Sequence, residues 1–159
     1  MNTGHLQIAS ILGAVGTGLI GGVFFAFSTF VMQALARMPA AQGIAAMQHI
    51  NVTVLNPWFL GVFMGTGLVS IGVLVLALMQ ARSGAALLIV AATLYFVGTF
   101  LVTMVFNVPR NDALAAATPD AAQSAVLWAK YLREWTFWNH VRTVAALAAC
   151  ATFCVALTR

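Results

Sequence analysis

The segment REWTFWNHVRTV, residues 133–144, sets Trp135, Trp138, Asn139 and Arg142 at spacings of three and four where the last apolar run begins. A helix turns roughly 100° per residue, so Trp128, Tyr131, Trp135, Trp138, Asn139 and Arg142 share one stripe. His140 points well over about 100° away from its centre. Asn offers donors and acceptors, and Arg offers a fixed fork of donors. With indole and phenol rings as walls, such a stripe suits a flat oxygenated ligand. Its carbonyl or phenolate oxygens would be held while its rings stack, and an anionic phenolate or enolate would be stabilised by Arg142 or Arg110. An interfacial belt accounts for Trp135 and Trp138, because Trp and Tyr collect at headgroup level. It does not account for Arg142, about two turns farther in. A charge inside a spanning segment faces the bundle interior and marks function by default.

A second wall is available upstream. Tyr95, Thr99, Thr103 and Asn107 recur every four residues and lead into NVPRND, which adds Arg110 and Asn111. Taken singly, Thr99 and Thr103 are expected to bond their own carbonyls four residues back. Antiparallel third and fourth helices would bring this boundary to Arg142, and the connection between the first two helices would bring Asn51 and Asn56. The catalytic candidates are Arg142, Asn139 and Asn107. The substrate-binding candidates are Trp135, Trp138, Asn111, Arg110, Tyr131, Asn51 and Asn56. The opposite end of the chain's helices offers Arg82 and Arg159 and little else. No Ser/His/Asp or Cys/His arrangement is visible, which argues against hydrolysis. His5, His49 and His140 lack a Glu or His at ligand spacing, so no metal site is expected. Haem, if present, would fall to His49 and His140.

The elements that must position these residues are read from composition. Of 159 residues, 62% are apolar and only 6% charged, with a mean hydropathy of +0.99. Soluble domains carry about 25% charged residues, so this surface must face lipid. One domain, residues 1–159, is expected. The net charge of +4 reflects scarce acids rather than clustered bases, which excludes nucleic-acid binding. The N-terminus has no basic stretch or cleavage site, so the first apolar run is expected to be retained. Four runs are long enough to span a bilayer as helices, 8–31, 57–79, 85–106 and 135–157. They are continuous rather than alternating, which excludes a barrel. The fold expected is an all-α, integral membrane four-helix bundle.

Between the first two runs, Ile44, Met47, Val54 and Leu55 have near-helical spacing, so a short amphipathic helix is expected there. Asn51 lies on its apolar stripe and His49 well around from it. Asn56-Pro57 opens the second run, and QARSGA joins the second and third tightly. Pro109 is expected to end the third helix. Thr118-Pro119-Asp120 reads as the start of the next, an extramembrane extension continuing to Arg159 over roughly 60 Å. Gly18 with Gly22, and Gly61 with Gly65, let helices approach closely. Packing inside the bundle is the expected use, and a homo-oligomer seam the alternative. Cys150 and Cys154 lie along one helix, a poor geometry for a disulfide, and are read as small apolar residues.

The order N-x-P-x-N (Asn107, Pro109, Asn111) followed by W-x-x-W-N-x-x-R (Trp135, Trp138, Asn139, Arg142) resembles the DUF1772, or anthrone oxygenase, family. FSTFVM and INVTVLNPWF are similar too. The resemblance implies a small four-helix membrane protein whose motif residues are Asn107, Asn111, Trp135, Trp138, Asn139 and Arg142. It also implies oxidation of an anthrone-like aromatic. The expected function is oxygenation of an aromatic, hydroquinone-like or anthrone-like molecule by O₂, with no cofactor required, since an electron-rich carbanion can reduce O₂ directly. The alternatives are a non-catalytic lipid- or quinone-binding accessory protein and a haem protein. The expected location is a bacterial inner membrane. Arg37, Arg110, Lys130, Arg133 and Arg142, against Arg82 and Arg159, would set the long connections in the cytoplasm.

Overall fold

The computed structural model describes residues 3–79, 84–121 and 123–159. Four helices are long and apolar enough to cross a membrane: α1 (Gly4–Ala36), α3 (Pro57–Met79), α4 (Ala85–Ala115) and α5 (Ser124–Ala156). A shorter helix, α2 (Ala40–Thr53), links the first two. No strand occurs among the described residues. The protein is a multi-pass integral membrane four-helix bundle. Each spanning helix packs against two neighbours, in the cyclic order α1–α3–α4–α5. Leu19, Leu68, Leu78, Val90 and Val144 remain exposed around the outside, as lipid requires.

Two hydrophobic cores lie within the four-helix body. One joins Val73, Ala77, Leu88, Ala91, Ala92 and Phe153; the other joins Ile20, Phe24, Phe63, Tyr95 and Ala149. A third is built at one end from Met32 and Leu35 of α1, Ile44 and Met47 of α2, Leu114 of α4, and Trp128, Tyr131 and Trp135 of α5. This end cap explains why α2 is amphipathic: Ile44 and Met47 are sealed while His49 stays exposed. Val54 and Leu55 lie beyond the helix, and Leu55 is exposed, so the stripe is shorter than its spacing suggests. Gln48 ties α2 to the end of α4 by donating to the carbonyls of Leu114 and Ala117, at 2.8 and 3.0 Å.

Several boundaries differ from the sequence expectation. α1 continues to Ala36. Pro109 does not end α4, which runs on to Ala115. The reason is the wide turn before it: Thr103–Asn107 is π-helical. A proline normally collides with the carbonyl four residues back, and a wider turn displaces that carbonyl. Thr118 does not cap α5. Residues 118–121 form a turn in which Ser124 Oγ donates to the Thr118 carbonyl at 2.6 Å, and α5 begins at Ser124. Its 33 residues span about 50 Å. Arg82 and most of the α3–α4 connection lie outside the described residues.

The glycines also divide differently. A side chain at Gly22, Gly61 or Gly65 would meet nothing within 4 Å, and one at Gly18 only Cys150 Sγ. These positions face outward, with Gly18 and Gly22 lining an open apolar groove between α1 and α5. Close approach inside the bundle falls to other glycines. A Cβ at Gly98 would lie 2.6 Å from that of Ala145, and one at Gly21 would lie 2.8 Å from Leu147 Cδ2. Four-residue spacing identifies small faces but does not say which way they point.

Candidate functional site

The stripe on α5 takes the position its spacing predicts. Trp128, Tyr131, Trp135, Asn139 and Arg142 are all buried, while His140 is exposed. The three rings form a stacked column through the end cap, with centroids 5.6 and 5.9 Å apart and planes within 20°. Trp135 then forms one side of a cage for Arg142, whose guanidinium carbon lies 4.8 Å from the indole centroid and 3.9 Å from that of Phe24. Arginine over an aromatic face is attractive electrostatically, more so when desolvated.

Hydrogen bonds fix the guanidinium between those rings. Arg142 Nε donates to Asn139 Oδ1 at 2.9 Å and Nη1 to Thr103 Oγ1 at 3.3 Å. Asn139 is anchored in turn, its Nδ2 donating to the Phe24 carbonyl at 2.8 Å and to Ser28 Oγ at 2.7 Å. Thr143 Oγ1 closes the cluster, 3.0 Å from Ser28 Oγ. From α4, Thr99 donates to the Arg142 carbonyl at 3.2 Å and Asn107 to the Trp135 carbonyl at 3.2 Å. α1, α4 and α5 are therefore joined by polar bonds at one level. Asn111 holds the ring column from beside it, its Oδ1 accepting from Tyr131 O–H and Trp135 Nε1–H, both at 2.8 Å. Asn51 reaches the same phenol from α2 at 3.5 Å.

Two further features mark this cluster. Arg142 is only 5% exposed, yet among the described residues no carboxylate pairs with it. The carboxylate of Glu134 pairs with Arg110 instead, at 3.0 Å. Among the described residues Arg142 Nη2 also has no hydrogen-bond partner. The second feature is local backbone. Three π-helical turns, Phe27–Val31, Phe96–Leu101 and Thr103–Asn107, carry Ser28, Thr99, Thr103 and Asn107. Such turns are uncommon and gather at functional sites.

The profile of the family described as Anthrone oxygenase matches residues 57–152. This chain belongs to the anthrone oxygenase family. No curated protein and no solved structure matches it. Membership in the anthrone oxygenase family makes this an oxygenase-like membrane protein, and the match takes in the polar residues of α4 and α5. It leaves out Phe24, Ser28 and Asn51, which α1 and α2 supply to the same cluster.

In this anthrone oxygenase family member some expected site residues are placed elsewhere. Asn56 caps α3: its Oδ1 accepts from the backbone N–H groups of Trp58 and Phe59 at 3.1 and 3.0 Å, and its Nδ2 donates to the Thr53 carbonyl. Asn56→Ala is expected to lower stability by about 1 kcal/mol and to leave ligand affinity unchanged. A weakened affinity in a ligand titration would return Asn56 to the site. Trp138 lies at the stripe's edge and stacks on Phe106, with centroids 3.6 Å apart, away from the guanidinium. Arg110, half-buried, donates to the Phe106 carbonyl as well as to Glu134. His49 and His140 are both exposed, on α2 and on the outer side of α5, so the haem-ligand pair is not gathered at the buried cluster. No group of three or more His, Cys, Asp or Glu forms a metal cage among the described residues.

Sequence reasoning missed Ser28, Thr143 and Phe24. Ser28 had two available signals: it lies in FSTFVM, and with Thr29 it interrupts an apolar run four residues after Phe24, on the same helical face. Nothing in the sequence marks the π turns.

Proposed function

We propose that the buried cluster binds the anion of an oxygen-bearing aromatic molecule, of the anthrone or hydroquinone type, and exposes its carbon skeleton to O₂. The observation that carries this reading is the unpaired Arg142 guanidinium, fixed between Phe24 and Trp135 with Nη2 uncommitted. A cation held without a carboxylate partner in a low-dielectric site is matched to an incoming anion. Asn139 and Thr103 act as positioning residues that aim it. Trp135 and Phe24 flank the guanidinium, and Asn111 and Tyr131 hold the indole in place.

For a substrate with an acidic ring CH₂ the chemistry balances simply. Loss of one proton to solvent gives a carbanion whose charge is shared with the ring oxygen, and Arg142 stabilises that oxygen. One electron passes from carbon to O₂, the resulting radical pair joins as a C–O bond, and protonation gives a hydroperoxide. Loss of water leaves a C=O in place of the CH₂. One oxygen atom of O₂ stays in the product and the other leaves in water. No redox cofactor is needed, because the substrate itself supplies the electrons. Such an apolar substrate would reach the site from the lipid.

Oxygen uptake by the purified protein in mild detergent, offered a panel of anthrones and hydroquinones, tests this reading. Uptake well above the uncatalysed rate for some panel member is expected. Saturable binding with no such uptake would instead make the cluster a non-catalytic quinone or lipid site.

A further inference from the structure

Asn107 is fully buried, and its carbonyl oxygen is without a hydrogen-bond partner. Its orientation is not interchangeable: Nδ2 donates to the Trp135 carbonyl, which can only accept, so Oδ1 must be the atom left over. Arg142 Nη2 does not reach it, and the other donors around it are committed elsewhere. Tyr131 O–H and Trp135 Nε1–H both go to Asn111, Arg142 Nη1 goes to Thr103, and the Thr103 hydroxyl goes to the Thr99 carbonyl at 2.7 Å. Thr103 and Asn107 are one turn apart on α4, so this acceptor stands beside the layer that holds Arg142. Buried carbonyl oxygens are nearly always satisfied, and one left open a turn from the residue that bonds the guanidinium is an exception with a location.

We infer that Asn107 Oδ1 is the specificity-determining acceptor for a free hydroxyl on the bound ring, so that the site selects the reduced, hydroxyl-bearing form over its quinone or its methyl ether. The inference rests on the anion-binding reading above. A hydroquinone monoanion carries both complementary groups, an O⁻ for the Arg142 guanidinium and an O–H to donate to Asn107. A quinone has no proton to give, and an O-methyl group puts a carbon where the proton should be. Two-electron oxidation of the hydroquinone by O₂, giving quinone and hydrogen peroxide, would remove the O–H that anchors it to Asn107, which favours product release. A site built to hydrogen-bond a ligand hydroxyl rejects analogues that lack it, because its own polar group is left unpaired.

The test is an anaerobic titration of the detergent-purified protein, read by tryptophan fluorescence, with three probes: 1,4-naphthohydroquinone, 4-methoxy-1-naphthol and 1,4-naphthoquinone. The hydroquinone is expected to bind about tenfold to a hundredfold more tightly than the other two. Asn107→Leu is expected to remove the preference over the methyl ether, while the quinone, which also lacks the O⁻ held by Arg142, stays the weaker ligand. Asn107→Gln, which moves the amide by one methylene, should remove most of that preference and serves if the leucine variant does not fold. Equal affinities for hydroquinone and methyl ether in the wild type, with binding still lost in Arg142→Met, would overturn the role of Asn107 and leave the anion site standing. Preference over the methyl ether that persists in a folded Asn107 variant would overturn it equally. Failure of all three probes to bind the wild type would overturn the anion-site reading, and this inference with it.

Discussion

Arg142→Met is expected to lower substrate-dependent oxygen uptake by about a hundredfold to a thousandfold, the range seen when a buried anion-stabilising donor is removed, without lowering thermal stability. The two halves of that result have separate causes. Methionine retains a flexible apolar stem that can fill the gap between Phe24 and Trp135, so the aromatic contacts survive in part. It leaves Asn139 Oδ1 without its Nε–H donor, which costs about 1–3 kcal/mol. Against this stands relief from burying a cation with no carboxylate partner, an effective penalty of several kcal/mol. The melting temperature should therefore stay level or rise while activity collapses. Arg142→Lys should also be strongly impaired, since a point charge on a flexible stem cannot hold Asn139, Thr103 and a ligand in one plane. Wild-type uptake in a folded Arg142→Met protein would remove the guanidinium from the mechanism. A large drop in melting temperature would show that Arg142 is chiefly a structural tie.

The reading of α5 succeeded because a rigid helix converts sequence spacing directly into direction. Trp128, Tyr131, Trp135, Asn139 and Arg142 could be placed on one buried face, and His140 off it, by counting alone. The four spans were legible for a similar reason: continuous apolar runs of this length have few other uses. What counting could not give was direction relative to neighbours. Gly18, Gly22, Gly61 and Gly65 have the spacing of a packing face and point outward, while Gly98, which has no such signature, is pressed against Ala145. The end of α4 was misread because proline rules assume a regular helix, and no local pattern in the sequence marks the π turn ahead of Pro109. The site itself was half legible. Its α4 and α5 walls followed from periodicity, but the amides were expected to face a ligand. Asn139 instead spends both N–H groups on α1, Asn111 accepts from two rings, and Asn56 caps a helix. A sequence names donors and acceptors; which of them remain unspent is decided only after packing.

Asn139 is where that distinction produces the largest stability effect. Asn139→Ala is expected to destabilise the bundle by about 2–4 kcal/mol and to reduce oxygen uptake as severely as loss of Arg142. The side chain links three groups. It accepts from Arg142 Nε and donates to the Phe24 carbonyl and Ser28 Oγ, and it is itself fully buried. Alanine leaves the charged Arg142 donor without a partner and takes one of its two partners from Ser28 Oγ, which keeps Thr143; a bond to a charged group is worth roughly 1.5–3 kcal/mol, and each lost neutral bond adds to that. The Phe24 carbonyl lies just ahead of the π turn in α1, so its loss of a partner should also loosen the wide turn that presents Ser28. Asn139→Ala and Arg142→Met together should destabilise by less than Asn139→Ala alone, because with the guanidinium gone there is no stranded cation to penalise. Thermal melts of the two single variants and the double variant close this cycle. Strict additivity would mean that Asn139 and Arg142 do not act as a unit, and Asn139 would then be a bridge between α1 and α5 rather than the group that aims the guanidinium.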